Sequence, residues 1–475
     1  MISSFNADLR ARLAKVDASI AELNSRLRPF EDARKQLQSQ LDGIVYPVAT
    51  LPPEITSNIF LHCLLPSPEL SSPLKDHPLM SRAPLVFLRV CKMWRDIALS
   101  TPRLWVDLHF NFVELPDEMD GDELKKRIAD WFGRAGACPL SFSVRGFMEM
   151  EAFASDAISA TLRSYAPQLQ SICLQLETAY FEDFEDFTGP FPMLQNLAIA
   201  LPFLDGEVDN QMLNFQNTFS NAPRLSQLSF TEEATPSMFL YSFDALSKVT
   251  CDSCPPDDFL FVVQSASSLR ELACSIESDG MYVFPDSDVI THDHLHTLHL
   301  MPNCFFDSLR LLRSPALQNL RLSENITNPD ENRDFLAFLA HSSASLRSFS
   351  ASCRITMLTT DWFAIFMPGL TELELNRQDR VFLRDFFQRL DRTENPGFLP
   401  HLQSLTFRGC TFSMTAPMLS ALSSRTIADD QTSILKSFRH IWPTGVYTIP
   451  NDSTAASFRG LVERGMTIHV GGPVD

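Results

Sequence analysis

Three short stretches of this 475-residue chain carry residue types capable of chemistry. Cys251-Asp-Ser-Cys254 has the spacing of a thiol pair, which could exchange a disulfide or supply half of a zinc site. THDHLHTLHL places His292, His294, His296 and His299 close enough in sequence to share a metal. DEMDGDE, residues 117–123, has the acidity of a calcium loop. None is complete. The cysteine pair has no second pair, and no further ligand group stands near the histidines. If Gly121 takes the glycine place of a calcium loop, the first ligand would be Pro116, so the ligand spacing fails. Both cysteines are expected at structural positions, and the acidic run is expected to be a solvated loop. The chain lacks the glycine-rich phosphate loops, the nucleophile elbow and the paired-histidine helix of common enzymes. The expectation is a non-enzyme with no metal and no cofactor.

Composition narrows the partners. The net charge is −19, and residues 1–50 carry seven basic and six acidic side chains, leaving −20 for the remainder. Such a surface repels polyanions, and no basic stripe offsets it, so nucleic acid is not expected as a partner. No apolar run is long enough to span a membrane. MISSFNADLRARL has no signal-peptide core. A cytoplasmic or nuclear protein with reduced thiols is therefore expected, the ten cysteines acting mostly as small apolar groups. Phe outnumbers Tyr by 38 to 6, which directs the aromatic bulk to dry interiors.

The elements that must position these residues fall into four segments. In residues 1–46, Leu9, Leu13, Val16, Ile20, Leu23, Leu27 and Phe30 recur at alternating spacings of 4 and 3, and Leu37, Leu41 and Ile44 resume the register. This is a heptad seam, interrupted by Pro29, which could open a second helix. Two arrangements fit: a short coiled coil that makes a homodimer through residues 5–44, or a kinked helix or hairpin lying on the next domain. Residues 47–109 follow. Thr50 can cap a helix starting at Pro52 or Pro53, and a Pro/Ser/His-rich loop separates it from the tryptophan-bearing VCKMWRDIALSTPRLW. Residues 110–160 hold the acidic loop and lead to the repeats.

From residue 161 to 475 the chain repeats itself. L-x-x-φ-x-φ, with φ apolar, begins at Leu169, Leu194, Leu225, Leu246, Leu269, Leu295, Leu317, Leu346, Leu370 and Leu402, at intervals of 21 to 32 residues. LKSFRH at Leu435 is a degraded eleventh copy. Pro or Ser turns precede several copies, and helical strings such as NRDFLAFLAHSS, DDFLFVVQSASS and DRVFLRDFFQRL lie between them. One strand–helix unit cannot bury its own apolar face, whereas stacked neighbours can, so an α/β solenoid of parallel strands with helices on its outer side is expected. The array resembles the leucine-rich repeat. Asn303, Asn325, Cys254 and Cys410 take the ninth position, where that family places Asn or Cys; Glu177 and Pro202 break the rule, and the array is irregular.

LPPEITSNIF and PLVFLRVCKMWRDIALSTPRLW together resemble the F-box. The matching residues are Leu51, Pro52, Glu54, Ile55, Ile59, Phe60, Leu88, Val90, Cys91, Trp94, Leu104 and Trp105, although the loop between the halves, Leu65 to Ala83, is long. The whole layout is similar to the large F-box family of mushroom-forming fungi. The resemblance implies that these residues dock on a Skp-type adaptor, and through it on a cullin. The chain would then be a non-catalytic substrate-recognition subunit of a Skp–cullin–F-box ubiquitin ligase. The alternative is a leucine-rich-repeat scaffold with no role in ubiquitylation. In either case an unknown target protein would meet the outer strand face of the array. That face is expected to hold Lys248, Asp252, Glu271, His299, Asn319, Arg321, Glu372, Glu374, Asn376 and Arg408, around the small residues Ser348, Ser350 and Ser352.

Overall fold

In a computed structural model, described residues are 2–42, 51–64, 82–111, 120–146, 152–176, 189–201, 219–232, 234–238, 243–277, 289–302, 304, 306–323, 329–352, 360–410, 416–426, 434–442 and 452–472. Thr50, Ile44, Asn303, Asn325, Glu177, Pro202 and the Pro/Ser/His-rich loop lie outside them. Two units are distinguished. Residues up to Leu65 with Ala83–Leu104 form the first, and nearly all the rest from Trp105 onward forms the second.

The first unit begins with α1 (Ile2–Asp42), one continuous helix with Pro29 inside it. The expected break at Pro29 is absent. Proline costs one backbone hydrogen bond and crowds the preceding turn, but on the heptad count it sits off the seam, where a gentle bend is tolerated. Three short helices follow: α2 (Pro53–His62), α3 (Arg82–Val90) and α4 (Lys92–Leu99). Pro52, not Thr50, holds the N-cap place of α2 and offers no side-chain cap; its carbonyl accepts the Ile55 and Thr56 amides at 3.1 Å. Cys91 caps α4, its Sγ accepting the Trp94 amide at 3.4 Å.

The second unit is a mixed α/β structure around one 14-stranded sheet, every neighbouring pair of which is parallel. Its strands are β1 (Asp107–Asn111), β2 (Leu140–Arg145), β3 (Leu169–Gln175), β4 (Asn196–Leu201), β5 (Gln227–Glu232), β6 (Lys248–Cys254) and β7 (Glu271–Ile276). They continue with β9 (Thr297–Leu300), β11 (Asn319–Leu322), β12 (Ser348–Ala351), β13 (Glu372–Asn376), β14 (Ser404–Arg408), β15 (Ser437–Ile441) and β16 (Thr467–Gly471). Strands β8 (Ile290–Thr291) and β10 (Leu312–Arg313) pair separately. The helices are α5 (Gly121–Ala135), α6 (Ala152–Tyr165), α7 (Pro256–Ser265), α8 (Pro329–Ser342), α9 (Asp361–Phe366), α10 (Arg380–Leu390), α11 (Ala416–Ser424) and α12 (Asp452–Glu463).

Each copy of the sequence motif supplies one strand, which starts at the leading leucine in β3 and two residues after it in the copies from Leu194 onward. Those leucines, from Leu169 to Leu435, are at most 1% exposed. Many are set by the same tight turn: the amides of Leu225, Leu246, Leu269, Leu346 and Leu370 each donate to the carbonyl three residues earlier at 3.0–3.1 Å. The apolar strand positions face the helices, as Phe142 meets Phe132 of α5 and Phe407 meets Phe386 and Phe387 of α10.

The sheet starts earlier than residue 161. Of the acidic run 117–123, expected as a loop, residues 117–119 lie outside the described residues, Asp120 caps α5 through the Glu123 amide at 2.8 Å, and residues 121–123 open that helix. Trp105 lies two residues before the first residue of β1, the place that the leading leucine holds in the copies from Leu194 onward. Trp105 is fully buried there, edge-on to Trp131 at 4.9 Å, with the Arg134 guanidinium 4.4 Å over its ring. It is thus a core residue of the sheet unit and not, as expected, part of the preceding helical module.

Candidate functional site: the exposed faces of the two units

The helical module has a small core. The Phe60 and Phe87 rings stack at 4.0 Å, and Trp94 meets their edges at 5.0 and 6.1 Å. Thr56, Ile97, Ala98 and Leu104 complete it. Ten residues of α2 and eight of α4 cannot enclose more. Ile55, Ile59, Val86, Val90 and Leu99 therefore remain 42–53% exposed. Ile55 and Ile59 lie one turn apart on α2, and Val86 and Val90 one turn apart on α3.

Of the twelve residues expected to meet an adaptor, Pro52, Glu54, Ile55, Ile59, Val90 and Cys91 are exposed, and Leu51, Leu88 and Trp94 are half-buried. Phe60, Leu104 and Trp105 are buried and offer no surface to a partner. The sequence pattern mixes partner-facing and core-forming residues because both are large and apolar. Val86 and Leu99, which belong to the exposed set, were not singled out by the pattern.

The second face is the side of the sheet opposite the helices. Reading across the ladder, His299, Arg321, Ser350, Glu374 and Thr406 form one row, and Thr297, Asn319, Ser348, Glu372 and Ser404 another. A groove of about 390 Å³ runs over β12, where serines leave room between taller neighbours. It is bordered by His299 and Arg321 on one side and by Glu372 and Glu374 on the other. These four expected residues are brought together.

Asn376 and Arg408 close the same region. Arg408 pairs with Glu374, and Asn376 Nδ2 donates to Ser352 Oγ at 3.3 Å. Asn319 Nδ2 donates to Thr297 Oγ1 at 3.2 Å, holding the row in place. His299 shares a 3.0 Å hydrogen bond with Ser323 Oγ. Burial, with the nearby Arg321 charge, lowers its pKa, so the ring is neutral at physiological pH.

Lys248 stands apart, lining a second groove of about 260 Å³ over β1–β6 with Asp107, His109 and a floor of small residues; it pairs with Glu271 at 3.6 Å. Asp252 sits at the bulge that follows Cys251, where burial raises its carboxyl pKa. Ser404, Thr406 and Ser323 were passed over in the sequence because uncharged outer positions carry no obvious signal. Ladder register alone identifies them.

The chemistry-bearing stretches resolve into structure. Cys251 is the cross-strand neighbour of Cys274. Its hydrogen bond to Cys254, together with burial, pushes the Cys254 thiol well up, and burial does the same to Cys274, so both stay protonated and poorly nucleophilic. His292 is buried with Nε2 2.8 Å from the Ala266 carbonyl. Among the described residues no group of three or more His, Cys, Asp or Glu is placed to hold a metal, and no described helix is long and apolar enough to cross a membrane. The grooves offer hydrogen-bonding hydroxyls and charges of both signs, an arrangement suited to recognition.

Compared with models of known families the chain matches none, and a search of curated proteins finds no match either.

Proposed function

We propose that the protein is the non-catalytic target-recognition subunit of a Skp–cullin–F-box ubiquitin ligase. In this reading residues 51–104 are an F-box that docks on the adaptor, and the strand–helix array is a leucine-rich-repeat solenoid. One observation carries it: α2 and α3 present Ile55, Ile59, Val86 and Val90 to solvent on a module whose own core is already filled. Burying each against a partner contributes roughly 1.5–3 kcal/mol, and a few such anchors meet the cost of association. The serine groove between Arg321 and Glu374 would hold a target segment bearing charges of both signs. The chain would then accelerate transfer by proximity alone, holding the target near a charged ubiquitin carrier.

The test is co-expression of the full chain with a fungal Skp-type adaptor, followed by size-exclusion chromatography with light scattering. A stable complex containing one adaptor per chain is expected, and Ile55→Asp should abolish it while leaving the circular dichroism of the sheet unit unchanged. A folded, monodisperse chain that forms no complex would leave a repeat scaffold without ubiquitylation as the better reading.

A further inference from the structure

We infer that α1 joins two copies of this chain in a parallel, in-register, two-stranded coiled coil. The helix has 41 residues, so it is about 60 Å long. Along it Leu9, Leu13, Val16, Ile20, Leu23, Leu27, Phe30 and Leu37 keep the heptad spacing, and each is 46–75% exposed. Every described side chain from residue 9 to residue 40 is exposed, so none of the described residues covers the seam. In proteins most of a helix's stability comes from packing its apolar face rather than from propensity. The seam calls for a partner with the same pattern, and the chain itself supplies one.

The flanking charges select the arrangement. With Leu13, Ile20 and Leu27 at heptad position a, Arg12 and Arg26 fall at g, and Asp17 and Glu31 at e. In a parallel, in-register pair each g residue faces the e residue five positions later on the other chain. Arg12 then meets Asp17 and Arg26 meets Glu31, twice each by symmetry, while Ser19 meets Asn24 without a charge. An antiparallel pair would instead set g against g, arginine against arginine. Arg34 takes the next a position. In a two-stranded coil its long stem can carry the charge to water, whereas a three- or four-stranded core would bury it. Pro29 falls at position c, away from the seam, so the helix continues through it without disturbing the contact. The dimer would present two adaptor-facing modules and two grooves, so a target bearing two recognition segments would be held with an avidity neither groove provides alone.

Sedimentation equilibrium on the full chain over a range of concentrations tests this. The wild type should be a dimer with twice the 53.6 kDa chain mass, and Ile20→Asp with Leu27→Asp should be a monomer whose thermal melt is unchanged. Glu31→Arg should weaken the dimer by roughly five- to tenfold, because two attractive pairs become repulsive. Adding Arg26→Glu to Glu31→Arg should restore it. A wild type that stays monomeric throughout, or a dimer that survives the seam substitutions, overturns the inference. A dimer lost with the seam but unmoved by the charge reversal, or not rescued by the swap, overturns the parallel in-register arrangement.

Discussion

Among the described residues of the sheet unit Arg425 is the largest enclosed polar side chain, with no exposed surface. Its guanidinium donates to three backbone carbonyls, Leu390 O at 2.9 Å, Leu399 O at 2.7 Å and Phe398 O. It thereby closes the turn between α10 and β14 where the chain doubles back. Burial lowers its pKa to about 10, still well above neutrality, so the charge is kept. Arg425→Ala would leave three carbonyls unsatisfied and a cavity beside them, and should cost about 3–5 kcal/mol in urea unfolding. Asp334 is buried within α8. Burial, and the hydrogen bond with Asp307, raise its pKa from 3.8 to about 6. The folded state therefore binds a proton that the unfolded state has already released between pH 4 and 6. Stability is greatest below that window, falls as pH rises through it, and is level above. Asp334→Asn should flatten this part of the melting-temperature profile, and a wild-type profile that rises from pH 4 to 6 relative to the variant would contradict the assignment.

At the scale of elements, each leading leucine anchors one strand, and its removal should be felt along the sheet. Leu346→Ala, at a site with no exposure, should cost about 2–5 kcal/mol in chemical unfolding. Much of this layer was legible in the sequence because ten copies kept the L-x-x-φ-x-φ pattern, and even the degraded copy at Leu435 forms β15. That copy looks degraded because His440 takes an inward strand place, buried and lowered in pKa, with Nε2 3.0 Å from the Cys410 carbonyl. Three strands were hidden for identifiable reasons. β1 has Trp105 where the leucine belongs. β2 has a register shift after Leu140, so its apolar residues Leu140, Phe142 and Val144 alternate by two. β16 pairs Thr467 with Ser437, which aligns Gly465, at positive φ, with Leu435; its leading side chain is missing altogether. The continuity of α1 was hidden by Pro29, since a proline signals a helix start as readily as a tolerated interruption.

At the scale of the molecule the two units differ in their surfaces, one carrying an exposed apolar patch and the other a polar, groove-bearing sheet face. The apolar patch was partly legible: the motif named Ile55, Ile59 and Val90 but could not separate them from Phe60, Leu104 and Trp105, because burial depends on packing that no spacing encodes. The groove was legible through strand register, which placed His299, Arg321, Glu372 and Glu374 on one face. Filling it should be harmless to the fold: Ser350→Trp is expected to leave adaptor binding and the urea midpoint unchanged while blocking whatever target segment the serines receive, read as loss of target co-purification. Hydrogen exchange on the full chain, with and without an equimolar Skp-type adaptor, locates the docking surface. If the helical module is that surface, protection is gained in residues 51–64 and 82–104 and the strands of the 14-stranded sheet exchange as before. Protection confined to the sheet face, or no change anywhere, would contradict it.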